Sequence, residues 1–104
     1  MNAITEKEFV KILKGFKGSG IYIKTEGKIC SRSTIHKLDF QLQYDILRIK
    51  DKISSNYFNI NLNMVYQLKT SNDKNVLKLY TDEDIVVTII CWFISKSNQI
   101  AWQE

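Results

Sequence analysis

His36 is the only histidine in the 104-residue chain, with Cys30 six residues before it, Asp39 three after it and Cys91 far downstream. A thiolate activated by an imidazole, itself oriented by a carboxylate, is a nucleophile built from these residue types. Their spacing matches no arrangement that sets a base on a nucleophile, so His36 reads as a surface strand or loop histidine and no catalytic residue is assigned. One histidine and two separated cysteines also fall short of the four ligands of a structural zinc. Asp82, Glu83 and Asp84 are adjacent carboxylates of the kind found at a solvated hairpin tip. Gly15-Phe16-Lys17-Gly18-Ser19-Gly20 is rich in glycine, but a phosphate cradle leads from a strand into a helix, and here the order is reversed. Neither an enzyme, a metal nor a cofactor is expected.

Two stretches carry binding chemistry instead. Lys24, Lys28, Arg32 and Lys37, with Tyr22 and His36 among them, combine cations for phosphates with rings for bases, which is how single-stranded nucleic acid is held. Glu26 and Asp39 dilute that field. The formal charge of +4 is uneven: residues 1–50 hold ten Lys/Arg against five Asp/Glu, and residues 51–104 hold five against six. At the other end, Trp92, Phe93, Ile94, Ile100 and Trp102 gather more apolar surface than a thin core hides, which points to contact with another protein or a second copy of the chain.

These side chains are placed by a readable series of elements. Thr5-Glu6-Lys7-Glu8 is a capping box, and Phe9, Ile12, Leu13 and Phe16 follow at helical spacing, predicting an amphipathic helix over 6–16. Ile21-Tyr22-Ile23-Lys24 alternates, Glu26-Gly27-Lys28 has turn chemistry, and Ile29 and Cys30 resume an apolar phase, which predicts a hairpin. A change of apolar phase near 44–47 predicts a bulge or a break between two strands. From Phe58 to Leu68 every second residue is apolar, the signature of a strand with one buried face. Eleven residues exceed the usual strand length, so a bend is expected around 61–64. Tyr57 and Tyr66 occupy opposite faces of that alternation, so one of them is expected to face outward. Turn clusters at 71–75 and 81–84 separate two further strands, and such short links join antiparallel neighbours.

The helix, the short strands, Ile60-Asn61-Leu62-Asn63-Met64-Val65-Tyr66-Gln67-Leu68, the polar hairpin, Val76-Leu77-Lys78-Leu79-Tyr80, the acidic turn and Ile85-Val86-Val87-Thr88-Ile89 together resemble bacterial Sm-like small β-barrels. The resemblance covers about two-thirds of the chain and implies a ring-forming or RNA-binding module. His36-Lys37 does not match the Lys-His pair that bacterial members carry near the barrel's end, so no functional residue is carried over.

The reading is α+β: an N-terminal helix capping a strongly bent antiparallel sheet of five to seven strands, closable into a small Sm-like or SH3-like barrel. One domain is expected over 1–104, with the helix at about 6–16, a β-rich region at about 20–94 and a tail at 95–104. The longest apolar run, 85–94, is half a membrane span, and no apolar leader follows Met1, which predicts a cytoplasmic protein with no membrane contact. Cys30 and Cys91 are then expected as free buried thiols. Abundant lysine, isoleucine and asparagine without proline suit a low-GC bacterium or its phage. The function expected is a non-enzymatic interaction module that binds another protein or itself, of the kind a phage or plasmid encodes as a regulator or inhibitor. The alternative is an Sm-like binder of RNA or single-stranded DNA through the basic first half.

Overall fold

The computed structural model describes residues 1–93. A short strand, β1 (Asn2–Ile4), leads into α1 (Glu6–Gly15). The Thr5 hydroxyl accepts the Glu8 N–H at 3.1 Å, and the Glu8 carboxylate accepts the Thr5 N–H at 3.2 Å, so the capping box closes as expected. Phe9, Leu13 and Phe16 are buried, while Lys7, Lys11 and Lys14 are exposed. Beyond the helix the Gly18 N–H donates to Leu38 O and the Leu38 N–H donates to Ser19 O, both at 2.9 Å. These bonds tie the helix exit to a strand twenty residues on.

The remaining strands are β2 (Gly20–Gly27), β3 (Ser31–Ile35), β4 (Leu38–Gln43), β5 (Ile46–Asp51), β6 (Tyr57–Asn61), β7 (Val65–Thr70), β8 (Val76–Thr81) and β9 (Ile85–Phe93). All pairings are antiparallel. One sheet has six strands in the order β1-β7-β8-β9-β2-β3, and the other has three in the order β4-β5-β6. Helix-plus-antiparallel-sheet is therefore right, but five to seven strands becomes nine among the described residues. Neither sheet closes on itself, so the expected barrel is corrected to two open sheets, with β1, β3, β4 and β6 at their edges.

The reason lies in the Phe58 to Leu68 alternation. A single 3-10 turn, Leu62–Met64, interrupts it, and the Asn61 side chain caps that turn by accepting the Asn63 N–H. Ile60, Leu62 and Leu68 stay buried across the break, yet β6 and β7 belong to different sheets. The bend expected at 61–64 is thus the point at which the chain changes sheets. A register shift between Val65 and Gln67 then turns Tyr66 outward, so Tyr57 and Tyr66 are both exposed, at 61% and 66%, where only one was expected to be. The phase change near 44–47 is a two-residue turn, Tyr44 and Asp45, between β4 and β5. Ile29 and Cys30, expected to resume a strand, are instead exposed in the turn between β2 and β3. Neither cysteine forms a disulfide, and only Cys91 is buried.

The core is one cluster drawn from α1 and both sheets, with Leu13, Ile21, Leu47, Ile49, Leu77 and Ile89 fully buried within it. Two local devices fix strand ends, one in the large sheet and one between the sheets. Gly27 has φ +108°, and a Cβ there would clash with Asp84 O, so glycine is required where β2 meets the turn before β9. Asp51, buried at the end of β5, accepts the N–H groups of His36, Lys37 and Ile53 and the hydroxyl of Ser54. It joins the two sheets by gathering the β3–β4 link and the turn after β5 around one carboxylate.

Candidate nucleic-acid interface

The six-stranded sheet has an inner face of Ile21, Ile23, Leu77, Leu79, Val87 and Ile89, all buried. Because side chains alternate across a strand, the residues between these point away from the core. The register sets five of them in one row across the sheet. Lys24 on β2 pairs with Arg32 on β3 and with Thr88 on β9; Thr88 pairs with Lys78 on β8, and Lys78 with Lys69 on β7. At about 4.8 Å per strand, this row of four cations and one threonine spans about 19 Å.

Aromatic rings flank the row. On one side Tyr22 pairs with Ile90, and Trp92 follows two residues further along β9. The Trp92 indole lies against Gly20, where a Cβ would be 2.7 Å from Cζ2, so the glycine is what lets the ring settle on the sheet. Trp92 is still 53% exposed. On the other side Tyr80 stands beside Tyr66, with ring centroids 6.4 Å apart, and Lys69 Nζ lies 5.3 Å from the centre of the Tyr80 ring. Cations down the middle with rings at both margins can hold a strand by its phosphates while offering faces on which bases stack.

Among the described residues at outward positions of β2, β3, β7, β8 and β9, Glu26 is the single carboxylate. Its Oε1 lies 3.3 Å from Lys24 Nζ, so an incoming anion competes with it for that ammonium. The pair is largely exposed and contributes little to stability. Glu26→Gln is therefore expected to leave the melting temperature unchanged while tightening oligonucleotide binding about threefold at low salt, by fluorescence anisotropy; unchanged affinity would place Lys24 outside the contact surface.

Of the six residues read as nucleic-acid contacts, Tyr22, Lys24 and Arg32 share this face. Lys28 lies in the β2–β3 turn at one end of the hairpin, and His36 and Lys37 lie beyond its other end, where their N–H groups bind Asp51. Lys69, Lys78, Tyr80 and Thr88 were missed. They come from a half of the chain with a formal charge of −1, and only strand pairing brings them beside Lys24. Of the residues read as protein contacts, Trp92 is exposed on the same face, Phe93 ends β9, and Ile94, Ile100 and Trp102 lie outside the described residues.

A second concavity, a cleft of about 390 Å³, opens between the sheets and is lined by Thr25, Ile29, Phe58, Ile60, Met64 and Ile85 among others. The hydroxyls of Thr25 and Ser31 are 2.8 Å apart and satisfy each other, so the cleft directs less chemistry than the outer sheet face. No group of three or more His, Cys, Asp and Glu able to hold a metal occurs among the described residues, and no helix there is long and apolar enough to cross a membrane. No protein-family model, curated protein or solved structure matches the chain.

Proposed function

We propose that the chain binds RNA or single-stranded DNA on the outer face of its six-stranded sheet. The observation that carries this reading is the row of Arg32, Lys24, Lys78 and Lys69, assembled by register from four strands and bordered by Tyr22, Trp92 and Tyr80. Four cations on neighbouring strands concentrate positive potential in a way that the same number scattered over the surface would not. Exposed Trp92 also suits a protein contact, but a protein partner does not account for four aligned cations with one carboxylate among them.

A fluorescein-labelled oligouridylate and an RNA duplex of the same length, titrated with the protein, test this. The single strand is expected to bind with Kd of about 1–100 μM at physiological salt, and the duplex more weakly because its bases are stacked away from the rings. Absence of binding by the single strand even at low salt would overturn the reading.

A further inference from the structure

Thr88 sits at the centre of the cation row, is 2% exposed, and its hydroxyl has no hydrogen-bond partner among the described residues. A buried hydroxyl left unpaired is a stability cost, and most native structures avoid it. The residues around it explain why it is unpaired. Directly opposite, on either side, stand Lys24 and Lys78, whose ammonium groups only donate; before and after it on the same face stand Val86 and Ile90, which do neither. None of these four side chains offers the threonine an acceptor, and the carboxylate diagonal to it, Glu26, lies against Lys24 instead. Directly opposed residues in an antiparallel sheet have Cβ atoms about 5 Å apart, so both lysines can reach a group lodged above Thr88.

We infer that Thr88, Lys24 and Lys78 form a seat for one phosphate group, with the Thr88 hydroxyl donating to a phosphate oxygen between two ammonium groups. This rests on the nucleic-acid reading of the same face and adds a defined position to it. A phosphate supplies both things the site lacks, an acceptor for the hydroxyl and negative charge for the flanking lysines. Arg32 and Lys69, one strand further out on either side, then meet neighbouring phosphates. Within the row Thr88 is thus the fixed point, and the flexible lysines are the adjustable ones.

Thr88→Val keeps the shape and removes the hydroxyl; Thr88→Ser keeps the hydroxyl. For Thr88→Val the oligouridylate affinity is expected to fall about tenfold, because a hydrogen bond to a charged group is lost. Its salt dependence should not change, because all four cations remain, and its melting temperature should rise, because an unpaired buried hydroxyl is gone. Thr88→Ser should bind within about twofold of the wild type. If the wild type binds and Thr88→Val binds equally well, the seat is wrong while the nucleic-acid surface stands. If the wild type binds no oligonucleotide, the broader reading fails. A titration with inorganic phosphate, followed by the Thr88 amide resonance, separates the two sources of phosphate. A response to inorganic phosphate that is lost in Thr88→Val supports the seat, and if the wild type gives that response yet binds no oligonucleotide, nucleic acid is overturned as its occupant.

Discussion

Reversing Lys24 and Lys78 together to glutamate is expected to weaken oligonucleotide binding by about 100-fold at low salt. Each ammonium contributes a charge-assisted contact of about 1.5 kcal/mol, and two such contacts amount to roughly two orders of magnitude before repulsion is added. The row with Glu26 carries three net positive charges, four cations less one carboxylate, and the double reversal turns it to one net negative charge. Both side chains stand on the outer face and neither holds the core, so the variant should melt within a few degrees of the wild type. Lys7→Glu with Lys11→Glu changes the overall charge by the same four units, but on the exposed face of α1. That control should lose no more than about threefold, since screening confines exposed charges to a range of roughly 10 Å. Equal losses in the two double variants would mean that net charge, rather than the sheet face, governs the interaction.

The largest effect on stability is expected at Asp51. Alanine there strands the N–H groups of His36, Lys37 and Ile53 and the Ser54 hydroxyl at a buried junction between the sheets. The expected cost is about 3 kcal/mol, a fall of roughly 15 °C in melting temperature for a chain of this length. Burial of the Asp51 carboxylate raises its pKa, and the hydrogen bonds from His36, Ile53, Lys37 and Ser54 outweigh that, leaving it below the ordinary value of 3.8. A carboxyl whose pKa is depressed by folding contributes stability above its unfolded value and loses it as pH falls through the folded one. The difference in melting temperature between wild type and Asp51→Ala should therefore be full above about pH 4 and shrink below it. Asp73, held by the Ser71 hydroxyl and the Asn75 N–H, is lowered in the same direction, so some acid sensitivity remains in the variant. A difference that stays constant from pH 7 to pH 3 would contradict the role assigned to the ionised carboxylate.

Elements governed by near neighbours were readable from the residues alone. The capping box at Thr5 and Glu8, the apolar stripe of α1 and the meander of β7, β8 and β9 each depend on contacts within a few positions. Phe58 to Leu68 was readable as extended chain and as bent. What its period could not convey was that the bend carries the chain from one sheet to the other, because both halves bury the same apolar phase. Tyr66 went astray for a related reason, since the irregularity between Val65 and Gln67 turns that one side chain outward while Leu68 keeps the buried phase.

The site was half legible. Tyr22, Lys24 and Arg32 lie within ten residues of each other, and a hairpin between them was expected. Lys69 and Lys78 reach the same row only because β9 pairs with both β2 and β8, a fact of strand order that no local pattern records. A count of charge by halves pointed away from them. Thr88 gave no signal at all in a run of Val86, Val87, Ile89 and Ile90, where it reads as one more β-branched residue.

The salt dependence of oligouridylate binding tests the central claim most directly. Four cations meeting phosphates of a single strand release counterions so that log K falls against log salt with a slope of about −3. The account predicts that slope for the wild type, and a slope shallower by about one after the loss of either Lys24 or Lys78. A slope near zero, or one that neither substitution changes, would contradict it.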